Sequence, residues 1–179
     1  MRMSLTEQEY TALRQTIATR GTARIVLLPV TVIGWAVLIL LLMMFGDLPV
    51  AGVASLAVLA AGFEAIHALH VGVERIGRYL QVFYEAREDG PRWETTAMAV
   101  GPSLPGGGID PLFSAVFLSA TVLNLIPVML PQPTAVEIVV IGALHVVFVV
   151  RVVRARIAAA RQRAVELESF RALLGQVAK

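Results

Sequence analysis

A run of ionisable residues interrupts the second of the chain's long apolar segments. Glu64, His67 and His70 recur at three-residue steps, and Glu74 and Arg78 continue the series into more polar sequence. At about 100° per residue these side chains share one face of a helix, with His70 at its edge. A carboxylate beside titratable imidazoles is the combination that relays protons or binds cations within membranes.

Other apolar segments can bring polar side chains to the same depth. Counting the rise of a helix inward from the arginines that end each segment places His67 about 12 Å, Thr31 about 10 Å and His145 about 9 Å into a membrane. We therefore expect Glu64, His67, His70, His145 and Thr31 to converge in the inner third of a helical bundle. No basic side chain is expected at the depth of Glu64, which should then be protonated, paired with a histidine or bound to a cation.

Several chemical interpretations of this group remain open. Glu64 and His67 have the i, i+3 spacing of metal sites in helical bundles, and with His145 they could hold a transition metal. Haem b is another candidate cofactor, held between His145 and either His67 or His70. The polar groups could instead form interhelical contacts that fix the packing of a structural subunit. Asn124 lies at a higher level, where it could form a weaker polar patch above the site or serve helix packing. Glu74 and Arg78 form a secondary polar group.

The composition requires an apolar solvent around these segments, in addition to the protein's own core. Hydrophobic residues make up 57% of the 179 residues, charged residues make up 16%, and the mean hydropathy is +0.75. Soluble domains average about 45–50% apolar and about 25% charged residues. This excess argues against a soluble enzyme and a disordered tail, and the lack of cysteine excludes a disulfide framework and any cysteine-based site.

Four apolar segments are long enough to cross a bilayer. They cover residues 25–45, 49–73, 111–131 and 135–153. The predicted fold is all-α, an integral membrane four-helix bundle. Nothing in the sequence forms a Ser/His/Asp arrangement or a phosphate-binding loop in its usual strand–helix context, so the sequence favours a non-enzymatic protein.

The distribution of positive charge predicts the orientation. All 15 Lys and Arg residues lie before the first segment, between the second and third, or from the end of the fourth onward. The positive-inside rule then places both termini in the cytoplasm of a multi-pass protein of the inner (plasma) membrane. The basic charge therefore indicates anionic inner-leaflet lipids as partners, and no nucleic acid is expected to bind.

Amphipathic sequence outside the spans predicts a helical collar in the cytoplasm. An N-terminal helix within residues 1–24 should end before Gly21, the second helix should extend over 74–89, and a C-terminal helix should cover 154–179. Residues 90–110 are rich in glycine and proline, which predicts a flexible loop. Capping-box spacings at Ser4–Glu7 and at Thr134–Glu137 predict two helix starts.

The apolar stripe of the C-terminal helix allows two interpretations. Ile157, Leu167 and Phe170 can pack against the extension of the second helix, or they can bind a partner, which would be a second copy of the chain or another membrane subunit. We interpret the protein as one that binds or conducts a proton or metal cation at the intramembrane Glu/His group. A non-catalytic structural or docking subunit is the first alternative, and a haem- or metal-dependent redox protein is the second.

Overall fold

A computed structural model describes residues 4–45, 49, 51–86, 92–100 and 111–177 of the chain. Helices account for almost all of these residues, and no strand occurs among them, which confirms the all-α prediction. The helices are α1 (Leu5–Phe45), α2 (Ala51–Phe83), α3 (Trp93–Val100), α4 (Pro111–Leu123), α5 (Leu125–Met129) and α6 (Ala135–Val177).

Three of these helices, α1, α2 and α6, are long and apolar enough to cross a membrane. The segment predicted as the third span forms α4 and α5 instead of one long helix, and its apolar part, Phe113–Met129, is shorter. Pro127 explains the break, because a proline has no N–H to donate and its ring clashes with the carbonyl of residue 123, where α4 ends.

Both capping boxes are confirmed. The backbone N–H of Ser4 donates to the Glu7 carboxylate at 2.7 Å, and the N–H of Glu7 donates back to the Ser4 hydroxyl at 3.2 Å. Thr134 and Glu137 make the same reciprocal pair at 2.8 and 3.3 Å. Each pair satisfies N–H groups that the first turn of a helix leaves without a partner.

Two expectations about the extent of the helices are wrong. α1 continues through Gly21 as one helix of 41 residues, since one glycine costs only about 1 kcal/mol in a long helix. Within the segment expected to be a loop, Trp93–Val100 is helical. The rest of that loop, residues 90–91 and 101–110, lies outside the described residues.

The chain divides into two compact units, and each long helix contributes to both. The apolar unit comprises Ile25–His67 and Pro111–Arg156. Its core is aromatic: Phe63 contacts Phe113, Phe117 and Phe148 with ring centroids 5.4–5.9 Å apart. Many of its large apolar side chains face outward, among them Ile33, Val139 and Val146, each more than 60% exposed. An apolar exterior around an apolar core is what a lipid-embedded bundle requires.

The charged unit comprises Met1–Arg24, Ala68–Asp110 and Ile157–Lys179. Leu80 and Val82 are buried in it, and Phe170 of α6 packs edge-on against Tyr79 and Phe83 of α2. Ile157, which was expected to share this packing, is exposed.

Candidate functional site

Asn124 lies at the centre of a buried polar network in the apolar unit. Its carbonyl oxygen accepts a hydrogen bond from the Trp35 indole N–H at 2.9 Å and lies 2.6 Å from the Ser55 hydroxyl. Its amide donates to the Gly52 carbonyl at 3.0 Å and to Nε2 of His145 at 3.1 Å. Asn124, at the junction of α4 and α5, therefore bonds to groups from α1, α2 and α6. We call Trp35, Ser55, Asn124 and His145, with the Gly52 carbonyl, the Asn124 network.

The partners fix the protonation of the network. The Trp35 N–H can only donate and the Gly52 carbonyl can only accept, so the amide of Asn124 has one orientation. Because Asn124 donates to Nε2 of His145, the ring proton lies on Nδ1, which donates to the Ile141 carbonyl at 2.8 Å. His145 is therefore a neutral imidazole with both nitrogens bonded. Binding a metal or haem through Nε2 would require its bond to Asn124 to break.

Glu64 forms an ion pair on the outside of the apolar unit. Its carboxylate accepts a hydrogen bond from Nη2 of Arg151 at 2.7 Å, and the two side chains are 49% and 42% exposed. The Arg151 guanidinium also lies over the Phe63 ring, 5.7 Å from its centroid. The expectation that no basic side chain reaches Glu64 is therefore wrong. Phe63 and Ile66 fill the interior, and this turns the adjacent Glu64 outward.

His67 and Thr31 belong to the same unit but make different contacts. The His67 ring stacks on Phe63 with centroids 5.6 Å apart, and it lies about one turn of α2 after Glu64. Thr31 is buried against Gly62, where a Cβ would collide with the threonine side chain. Thr31 thus marks a close approach of α1 to α2.

His70 lies in the charged unit. Nη1 of Arg24 donates to Nδ1 of its ring at 2.9 Å, so the ring accepts there. The predicted group is thus divided among separate contacts: Glu64 with Arg151 and near His67, His145 with Asn124, and His70 with Arg24. Among the residues that the structure describes, no three His, Asp or Glu side chains are grouped to hold a metal ion.

Arg78 is the centre of a second network, in the charged unit. Its side chain is 4% exposed and contacts the carboxylates of Glu74, at 3.1 Å, and Glu166. Glu166 also accepts hydrogen bonds from Arg75 at 3.0 Å and Gln162 at 2.7 Å. Burial alone would raise the pKa of Glu166, but its bonds to Gln162, Arg75 and Arg78 outweigh burial and lower that pKa. We call Glu74, Arg75, Arg78, Gln162, Arg163 and Glu166 the Arg78 network.

Further polar contacts connect α1, α2 and α3 in this unit. The buried carboxylate of Glu85 accepts the N–H groups of Glu94 and Thr95 at 2.7 Å each and so caps the start of α3. Glu94 also pairs with Arg14 at 2.5 Å, yet its burial outweighs this contact and raises its pKa. Tyr79 donates to Glu9 at 2.9 Å, and the bonds from Tyr84 and Tyr79 lower the pKa of Glu9.

Sequence reasoning missed the roles of Trp35, Ser55, Glu85 and Glu166. The polar side chain of Ser55 could have been recognised, because it interrupts an apolar segment as Asn124 does. Glu85 and Glu166 lie in charged sequence in which no residue stands out.

Comparison with known proteins gave no match to a family model, to a curated protein or to a solved structure. The functional assignment therefore rests on the chain's own contacts.

Proposed function

We propose that this protein is a non-enzymatic membrane subunit whose buried polar groups hold its helices together and whose exposed surfaces bind a protein partner. The proposal includes four crossings of the inner (plasma) membrane, with both termini in the cytoplasm. In this assignment the apolar unit lies in the bilayer and the charged unit lies on its cytoplasmic side.

The contacts of α4 and α5 support a fourth crossing. Phe113, near the start of α4, packs on Phe63 of α2, and Val128 of α5 lies against Gly52. Gly52 and Phe63 are separated by about 16 Å along α2. The α4–α5 segment therefore runs antiparallel to a helix that is itself long enough to span, and Asn124 supplies the bond to α2 near the predicted outer end.

The Asn124 network is the observation that carries the structural role. Asn124 has two N–H donors and two acceptor positions, and groups from three other helices occupy all four. A saturated amide of this kind leaves no position for a transported ion. Its effect is to specify which faces of the four segments meet.

Exposed apolar side chains outside the spans support the docking role. Trp93 of α3 is 64% exposed, and Val165 and Leu173 of α6 also lie at the surface of the charged unit. Lipid tails would not cover these side chains on the cytoplasmic side. A protein partner would remove them from water.

Reconstitution into vesicles tests the proposal against transport. We expect vesicles that contain the purified protein to dissipate an imposed pH gradient no faster than protein-free vesicles. The Glu64→Gln variant should behave in the same way. A proton or cation flux that wild type supports and Glu64→Gln abolishes would overturn the structural assignment.

A proton- or cation-binding function is the second candidate, and the position of His67 favours it. The His67 imidazole stacks on Phe63, whose ring also contacts the Arg151 guanidinium. It lies about one turn of α2 after Glu64, so a proton bound at His67 would act on the Glu64–Arg151 pair. The vesicle experiment separates the two candidates, because only this second one predicts a flux that is lost in both Glu64→Gln and His67→Ala.

A further inference from the structure

The Glu64–Arg151 pair occupies an unusual position for two charges. It lies about 20 Å along α2 from Ala51 and about 24 Å along α6 from Ala135, within the length that crosses a hydrocarbon core of about 30 Å. Nearly half of each side chain is nevertheless exposed on the outer surface of the apolar unit. Charges at membrane depth ordinarily face a protein interior or a water-filled cavity, because lipid tails cannot solvate them.

From this exposure we propose that a second copy of this chain covers the pair, with Glu64 of each copy binding Arg151 of the other. This proposal rests on the proposed function, since it names the partner of one surface of a docking subunit. A face that carries one acidic and one basic group is complementary to itself under a two-fold axis. Both ion pairs can then form at once, which is how isologous dimers assemble.

The surroundings of the pair fit a close contact between helices. The α2 residues that precede Glu64 on its exposed side are Ala54, Ala57 and Ala61. On α6, Leu144 and Val147 precede Arg151 on its face and are also exposed. Small residues allow the backbones of membrane helices to approach, so the larger side chains of one α6 can pack over the alanines of the other copy's α2.

Each ion pair would gain from the exchange. In the single chain, Arg151 donates from Nη2 to one oxygen of the Glu64 carboxylate, although a guanidinium carries five N–H groups that can donate. In the dimer the two arginines and two carboxylates form a closed ring that lipid does not reach. The attraction between opposite charges strengthens in that environment.

A charge exchange tests this inference. The double variant Glu64→Arg/Arg151→Glu keeps a pair within each chain and between two copies of itself. Mixed with wild type, it would place Glu64 against a glutamate and Arg151 against an arginine. We expect wild type and the double variant each to self-associate, and association of the mixed pair to be at least about tenfold weaker, measured by energy transfer between labelled copies in vesicles.

Equal association of the mixed and matched pairs would overturn the proposal, as would a wild-type protein that stays monomeric in vesicles. A different membrane protein bound at this face would also overturn it, while leaving the docking function intact. A gradient-dissipating flux in the vesicle experiment would instead remove the proposed function. Thermal melting of the double variant establishes that it folds before association is compared.

Cross-linking gives a second, independent measurement. Since the chain has no native cysteine, Ala61→Cys in one tagged copy and Val147→Cys in another should form a disulfide under mild oxidation. Ile33→Cys on α1, where the side chain is about as exposed as that of Val147, serves as the matched control and should not cross-link to Ala61→Cys. Equal cross-linking at Ile33 would indicate random collision and would contradict the predicted interface.

Discussion

Asn124 offers two hydrogens and two acceptor positions, and the apolar unit uses all of them on groups from α1, α2 and α6. The residue is fully buried, as is Ser55. A buried donor or acceptor that loses its partner costs about 1–3 kcal/mol, and Asn124 serves several such groups at once. At the scale of single residues, a neutral amide therefore contributes more to the packing of the apolar unit than the charged Glu64 does.

Replacing Asn124 with alanine should reveal this contribution. Asn124→Ala leaves the Trp35 indole and the His145 imidazole without their partner, and we expect the free energy of unfolding to fall by about 1–3 kcal/mol. Thermal melting in detergent measures the loss. Ser119→Ala on α4 is the control, because Ser119 is exposed and its removal should change the melting temperature little. Equal effects of the two changes would contradict the assigned role.

The charged unit should respond to pH through Glu166. The pKa of Glu166 is lower in the folded protein than in the unfolded chain, so its stabilising effect is present at neutral pH and is lost as the pH falls through the folded pKa, below the ordinary range of a glutamate. We expect Glu166→Gln to lower the free energy of unfolding at pH 7 by about 1 kcal/mol. The loss should be seen as a lower melting temperature. The difference from wild type should shrink as the pH falls.

Glu168→Gln is the control for this titration, since Glu168 lies on the same helix and is exposed. Its melting curve should follow wild type across the whole pH range. A difference in melting temperature between Glu166→Gln and wild type that stays constant down to pH 3 would show that the ionisation of Glu166 does not stabilise the unit.

At the scale of elements, α1 and α2 approach closely where Gly62 faces Thr31. A Cβ at Gly62 would collide with three atoms of the threonine side chain. The crossing thus requires a residue without a side chain on α2 and a small one on α1, which is how membrane helices commonly pack.

Gly62→Ala tests this contact. The added methyl forces Thr31 or the backbone to move, and we expect a loss of about 1–3 kcal/mol in stability. Gly142→Ala on α6 is a matched control, because a Cβ there meets nothing within 4 Å. Alanine also favours a helix over glycine, so Gly142→Ala should be neutral or slightly stabilising. Thr31→Ala should restore part of the stability lost in Gly62→Ala, and a failure to do so would place the strain elsewhere.

Local signals in the sequence predicted the helices better than the contacts between them. Ser4–Glu7 and Thr134–Glu137 were recognisable as helix starts because a capping box is complete within four residues. The prediction that a helix ends before Gly21 is wrong because the free-energy cost of one glycine is small compared with the stability of the long helical segments on either side. α3 was missed because Glu85, which caps it, precedes its first N–H partner by nine residues.

The site was harder to predict because its partners are far apart in sequence. Helical periodicity grouped Glu64 with His67 on one face of α2. It could not show whether that face or the one with Phe63 and Ile66 turns to the interior. Arg151, the partner of Glu64, lies 87 residues away. Counting helical rise put His145 near the depth of His67, yet depth alone does not fix the rotation that directs its ring to Asn124.

At the scale of the whole molecule, the assignment of the two units to membrane and cytoplasm depends on the number of crossings. α1, α2 and α6 are each long and apolar enough to span. The route of the α4–α5 segment then decides whether the two ends of the chain lie on the same side. An even number of crossings places α6's final turns on the same side as the start of α1, as the contacts of both with Tyr79 in the charged unit require, and an odd number would separate them.

Labelling of single cysteines in intact cells is the measurement that tests this assignment most directly. With four crossings, an impermeant thiol reagent should label Gln132→Cys from outside, whereas Thr6→Cys and Ser169→Cys should react only after the membrane is permeabilised. All three residues are exposed, so each is accessible from its own side. If the α4–α5 segment does not cross, the pattern reverses for two of them. Labelling of Ser169→Cys from outside, with Gln132→Cys protected, would contradict the four-crossing assignment.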